Sequence, residues 1–181
     1  MQADKPIPES YWVIPGQILA GEYPTSEYNP ARARQRIAAF LREGFDTFID
    51  LTSPDDASPY EALLKQEAAE LGLQIHYHRF PIGDYGLPSR EQMQATLDQL
   101  DQARQQGRKT YLHCQGGIGR TGTVVGCYLV RQGLDGQQAL NQLAEWWRKV
   151  PKSALHPRSP ETAQQEDFVR NWPEGGRIIR P

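Results

Sequence analysis

With two cysteines in 181 residues, the chain has too few to staple a small secreted fold, and it has no apolar run near the ~20 residues that span a bilayer. An excess of charge of one sign is missing too. Twenty Lys and Arg stand against 22 Asp and Glu, a net charge of −2 without a like-charge block. That balance argues against a nucleic-acid surface or an acidic tail. Met1 to Ser10 is polar and proline-containing, without the apolar stretch of a signal peptide. There is no internal repeat and no low-complexity segment. What remains is one mixed domain expected over residues 1–181, with 1–10 flexible and 174–181 a loose tail. Neither nucleic acid nor membrane is an expected partner, and a monomer is the expected state.

Apolar spacing sketches an alternating chain. Tyr11 to Gly21 reads as two short strands around Pro15-Gly16, which suits a type II turn. Asn29-Pro30 opens a helix whose stripe is Ala33, Ile37, Phe40 and Leu41, stopped by Gly44. A strand follows over Asp46 to Leu51, then a polar loop from Thr52 to Ala57. Ser58 with Glu61 reads as a capping box for a helix that ends at Gly72. Leu73 to Phe80 is an expected strand, and Pro81 to Pro88 a loop. Ser89 with Gln92 starts a helix carrying Met93, Leu97 and Leu100 to Gly107. Later, Asp135 with Gln138 caps a helix bearing Leu140, Leu143 and Trp147, and Ser159-Pro160 opens a last one with Phe168, Val169 and Trp172. Strands alternating with helices predict an α/β fold: a mostly parallel sheet of about four to five strands, covered by helices on both faces.

Between the third and fourth of these helices lies Lys109 to Gly122, the stretch richest in chemistry. A strand ends at His113, Cys114 follows, and Gly116, Gly117 and Gly119 precede Arg120, Thr121 and the apolar run Val124 to Val130. A strand, glycine loop and helix start aim backbone N–H groups and the positive helix end into one concavity, which makes an anion site. A thiol there is stabilised as thiolate. Arg120 can return over the loop to grip two phosphate oxygens with its planar fork. The amides of Gln115, Gly116, Gly117, Ile118 and Gly119 complete the cradle, and the Thr121 hydroxyl can bond the sulfur. Cys127 lies seven residues beyond Arg120, ~10 Å along a helix axis, too far for a disulfide to Cys114. An exposed thiolate suits a reducing compartment, so a cytoplasmic setting is expected.

His113-Cys114-x5-Arg120-Thr121 resembles the signature loop of the cysteine-dependent protein tyrosine phosphatase superfamily, in its small dual-specificity form. It does not match the ATP-binding loop, which ends in Gly-Lys-Ser/Thr. The resemblance implies the family's α/β fold and hydrolysis of phosphomonoesters through a cysteinyl-phosphate, without a metal or other cofactor. Phe80-Pro81-Ile82-Gly83-Asp84 looks like the family's mobile acid loop, which gives Asp84 the role of proton donor. Parallel-sheet topology brings that loop, the 52–57 loop and the Cys114 loop to one end. The resemblance also offers Gln165 as a residue positioning the hydrolytic water, although a capping or backbone bond explains its place on a buried stripe equally well.

His113 is expected to support the loop by hydrogen bonding, with its side chain turned from the pocket. Arg158 is expected to meet a carboxylate. Tyr60, Asp55 and Asp56 fall near the mouth. His76 and His78 alone are weak evidence for a metal, and Trp146, Trp147 and Trp172 read as core and rim. Gln115 and Ile118 stand where lipid-phosphate members of the family commonly carry lysines. The expected substrate is therefore phosphotyrosine, with phosphoserine and phosphothreonine admitted by a shallow pocket. A small-molecule or inositol phosphate is the alternative, and a non-catalytic phosphate-binding module a further one. Arsenate reduction or sulfur transfer would leave Asp84 without a purpose.

Overall fold

A computed structural model describes residues 4–26, 28–56 and 59–173. Five strands form one sheet in the order β1-β2-β5-β3-β4: β1 (Ser10–Ile14), β2 (Ile18–Gly21), β3 (Thr47–Asp50), β4 (His76–Arg79) and β5 (Thr110–His113). Only β1 runs antiparallel to its neighbour, across a turn in which Gly16 holds φ +76 and Gln17 N–H donates to Ile14 O at 3.0 Å. The other pairings are parallel. Their register sets Gly21 and Asp50 on either side of His113, with Arg79 beside Asp50. Four strands thus end on one line, so the loops leaving them share one edge of the molecule.

Helices cover both faces, as the alternation of elements predicts. On one face lie α1 (Pro30–Arg42) and α2 (Glu61–Glu70), whose Ile37, Phe40, Leu41, Leu64 and Ala68 pack with Trp12, Leu19, Phe48 and Tyr111 of the sheet. Opposite them lie α3 (Arg90–Gln105), α4 (Gly119–Arg131), α5 (Gly136–Trp147) and α6 (Ala163–Arg170), packed on Ile18, Ala20, Ile49 and Leu112. Helix α4 is buried from Gly119 to Val130, because it lies between the sheet and α3, α5 and α6. Its apolar sequence suits that central position. Trp147 and Trp172 belong to this core, with Trp146 against its edge.

Local signals succeed where the side chain has no tertiary competitor. Asn29 accepts from Arg32 N–H with Pro30 at the first helical position, and Asp135 and Gln138 form a reciprocal capping box. Elsewhere packing takes precedence. Helix α2 begins at Glu61 with Tyr60 in the cap position and no side-chain cap bond; Ser58, expected to cap it, lies outside the described residues. Ser89 caps α3, but Gln92 does not return the bond and instead donates to Pro81 O at 2.6 Å. The last helix starts at Ala163, capped by Thr162, rather than at Ser159-Pro160. Ser159 is drawn away to the signature loop, where its hydroxyl donates to Ile118 O. Strand β4 is confined to four residues by the length of β3 and is shorter than its apolar alternation suggests. Within residues 4–10, Ile7 is buried in the α1 core, and Ser10 Oγ donates to Ile7 O at 2.7 Å. The tail expected over 174–181 lies outside the described residues.

Candidate active site

Cys114 follows β5 directly and is 2% exposed, with its sulfur accepting from Gly117 N–H at 3.2 Å. The loop's shape comes from where its carbonyls go. Cys114 O faces His113 Nδ1 at 3.0 Å, and Gln115 O accepts from Tyr23 N–H at 3.0 Å. Gly116 O accepts from Lys152 Nζ at 3.0 Å, and Ile118 O from Ser159 Oγ at 2.8 Å. Carbonyls tied outward leave the loop amides free to face the concavity, as an anion nest requires. Gly117 has to be glycine: φ is +73, and a Cβ there would sit 2.4 Å from Gly21 C. Helix α4 then starts at Gly119, so Arg120 and Thr121 occupy its first turn.

His113 is fully buried among the rings of Tyr23, Tyr60 and Tyr111. A carbonyl only accepts, so Nδ1 carries the proton toward Cys114 O. In the neutral ring Nε2 therefore accepts from the Tyr60 hydroxyl at 2.7 Å. Burial lowers the His113 pKa and outweighs the upward pull of Asp50 and of the Cys114 carbonyl bond. Tyr60 is thus no mouth residue. It is 4% exposed and sits behind the loop.

Arg120 is 3% exposed along its side chain. Nη1 donates to Asp56 Oδ2 and, at 2.9 Å, to Ile82 O; Nη2 donates to Asp84 Oδ1 at 3.2 Å. Burial works against its charge, but Cys114, Asp56 and Asp84 more than offset it and raise the pKa. Asp84 itself is 60% exposed on the loop after β4, and its Oδ1 also accepts from Tyr85 N–H at 3.1 Å. Tyr85 holds φ +55, a conformation that non-glycine residues seldom adopt and that recurs at functional loops.

Gln165 is fully buried and caps α6, with Oε1 accepting from the N–H groups of Glu161 and Thr162. Its Nε2 donates to Gly86 O on the acid loop at 3.2 Å, and its Oε1 would lie 2.8 Å from a Cβ on Gly119. The residue caps a helix and touches both loops, with one Nε2 hydrogen left over. Thr121 Oγ1 is buried without a hydrogen-bond partner among the described residues, so the expected bond to the sulfur is not made. Arg158 is exposed and pairs with no carboxylate among the described residues.

A cavity of about 470 Å³ opens over Cys114, lined by Arg120, Asp84, Asp56, Gln115 and the loop glycines. Lys152 and His156 also reach its rim from the segment after α5. Nothing in their sequence signals that, because a 3-10 turn at Pro151–Ala154 carries them there through tertiary packing. Gln115 is exposed at the mouth whereas Ile118 is buried, so the rim includes a cation that the loop residues alone do not announce. Among the described residues, no group of three or more His, Cys, Asp or Glu is placed to hold a metal. No helix of the described residues is long and apolar enough to cross a membrane, and neither cysteine forms a disulfide among the described residues.

Residues 8–169 match the family described as "PTP-SAK: Swiss Army Knife protein, DSP-PTPase phosphatase domain". Among curated proteins, the mouse protein tyrosine phosphatase domain-containing protein 1 is 33% identical over 128 residues; the match covers 67% of this chain and 17% of that protein. The chain therefore spans a small part of that relative's length. Two solved structures share the fold. Tk-PTP in its active form has a TM-score of 0.67 at 22% identity, covering 91% of this chain and 96% of that one. PTPMT1 in complex with PI(5)P has a TM-score of 0.66 at 14% identity, covering 91% and 94%. With a match across most of its length and a cysteine-arginine loop at the sheet's carboxyl edge, the chain belongs to the dual-specificity-type protein tyrosine phosphatase family.

Proposed function

We propose that the protein hydrolyses phosphotyrosine, and also phosphoserine and phosphothreonine, in protein substrates through a cysteinyl-phosphate. The observation that carries this reading is the meeting of Cys114, Arg120 and Asp84 around one open cavity, although they come from two separate loops. The Cys114 thiolate attacks phosphorus in line while Arg120 and the amides of residues 115–119 hold the equatorial oxygens. Asp84 gives its proton to the leaving oxygen, then takes one from the water that cleaves the thiophosphate bond. Thr121, with its hydroxyl otherwise unused, stabilises the departing thiolate, and Gln165 steadies the water with its remaining Nε2 hydrogen. His113 supports the loop from behind. Arg120 and the amide nest supply the charge stabilisation that a metal provides in other phosphoryl transfers. A reducing cytoplasm belongs to the same proposal, because a nucleophilic Cys114 has to stay reduced to act.

The second reading, a phosphatase of inositol or other small-molecule phosphates, is favoured by Lys152 and His156 at the rim. Against it, Asp55, Asp56 and Glu161 line the same mouth, and Lys152 is already paired with Glu22 at 2.6 Å. A binder without turnover would need no acid beside Arg120 on the loop after β4. The test is turnover of an aryl phosphate by wild type and Cys114→Ser, followed by phosphopeptides against phosphorylated inositols. Activity that survives in Cys114→Ser overturns the nucleophile. Preference for inositol phosphates overturns the protein substrate.

A further inference from the structure

Resting on the phosphatase reading above, we infer that Asp56 is a positioning residue: it holds Arg120 so that the guanidinium presents its Nε–Nη2 edge to substrate phosphate. A guanidinium has five N–H donors, two on Nη1 and two on Nη2. Both Nη1 hydrogens are committed to protein, one to Asp56 Oδ2 and one to Ile82 O at 2.9 Å. Nε bonds no protein atom among the described residues, and Nη2 meets only the exposed Asp84. The far side of the fork is therefore clamped by two loops, and the edge suited to a bidentate oxyanion is kept free for it.

Asp56 is built to stay where it is. Its Oδ2 also accepts from Ser53 N–H at 2.8 Å, and its own N–H donates to Ser53 O at 3.1 Å, closing a tight turn. Its side chain is 11% exposed, whereas that of Asp84 is 60% exposed. Burial raises the Asp56 pKa, but the bonds from Arg120 and Ser53 outweigh it and bring it below the ordinary carboxylate range, so the anion persists at neutral pH. The two carboxylates on Arg120 thus differ in kind: a tethered one that orients the guanidinium, and a loosely held one that can leave it for the leaving-group oxygen. Two rival roles for a carboxylate at this place, a second proton donor and a competitor with phosphate for Arg120, each predict a different response to removal.

Asp56→Asn keeps an acceptor for Nη1 without the charge, and Asp56→Ala removes both. The binding of inorganic phosphate is measured by calorimetry, and kcat/KM on aryl phosphates with leaving groups of graded acidity, alongside thermal denaturation. Phosphate affinity and kcat/KM are expected to fall together, about 10-fold in the Asn variant and about 100-fold in the Ala variant, the range that a charge-assisted bond carries. That loss is expected to be equal across leaving groups. Unchanged phosphate affinity in a folded variant overturns the proposal, and so does tighter binding, which marks Asp56 as a competitor. A loss that grows with the basicity of the leaving group overturns it too, by making Asp56 a proton donor. If Asp56→Ala does not fold, Asp56→Asn decides by the same readings. Should wild type bind phosphate yet hydrolyse no aryl phosphate, the proposed function falls while the calorimetric comparison still judges Asp56.

Discussion

Replacing Gly117 with Ala tests whether the signature loop is held by its contact with β2. Two costs arise there. The first is backbone strain, since φ is +73 and an L-residue in that region loses about 1–2 kcal/mol. The second is collision: the new Cβ would lie 2.4 Å from Gly21 C and 2.5 Å from Glu22 N. Ordinary contact begins at 3.4 Å, so loop and strand must separate by about 3.4 − 2.4 = 1.0 Å. Overpacking of this kind costs about 1–3 kcal/mol, and each kcal/mol lowers Tm by about 2–4 °C in a domain of this size. A fall in Tm on the order of 10 °C is therefore expected. Because Gly117 N–H bonds the Cys114 sulfur, the displacement also moves the nucleophile. A 1 Å misplacement costs about 100-fold in kcat/KM. Gly72→Ala separates the two costs, because φ there is +67 but nothing lies within 4 Å of the new Cβ. It should lower Tm by a few degrees, about the strain alone, and leave aryl phosphate turnover unchanged. Turnover retained within about threefold in Gly117→Ala, or lost equally in both variants, refutes the reasoning.

Three further outcomes follow from the site. Asp84→Asn should slow hydrolysis of alkyl phosphates more than of aryl phosphates with acidic leaving groups, by about 100-fold or more for the former; equal losses would remove Asp84 as the acid. Gln165→Ala should lower stability by about 1 kcal/mol through its lost cap bonds, and should also build up trapped phosphoenzyme in a burst experiment. An unchanged burst would leave it a cap alone. Because burial lowers the His113 pKa, the unfolded chain takes up a proton there that the folded chain refuses. Stability contributed by neutral His113 is thus complete above pH ~6.5 and declines as pH falls below it toward the depressed folded value. His78 acts in the same direction. The slope of Tm against pH below ~6.5 should flatten in His113→Asn, and an identical slope would show that other groups set it.

How much of the molecule can be read from its sequence depends on whether the deciding forces are local. The glycine loop between an apolar strand and an apolar helix is legible as a candidate anion site, because a strand end, closely spaced glycines and a helix start are all local signals. Asn29 and Asp135 are legible as caps for the same reason. The alternating periods imply the parallel sheet with helices on both faces, and the parallel order implies that the Asp84 loop nears Cys114. What the sequence leaves open is decided by partners distant along the chain. Tyr60, which reads as a loop residue beside a capping box, reaches across 53 positions to hydrogen-bond His113. Asp56 reads as one of two rim carboxylates, yet it bonds an arginine 64 positions away. Lys152, Ser159 and the backbone of Tyr23 each draw a loop carbonyl outward, although none lies within thirty residues of the carbonyl it holds. A chain written in order specifies its own turns and periods. The orientation of a buried polar group is set by whichever donor or acceptor the packed layers bring to it, because an unsatisfied group in a dry interior costs more than a local preference can return.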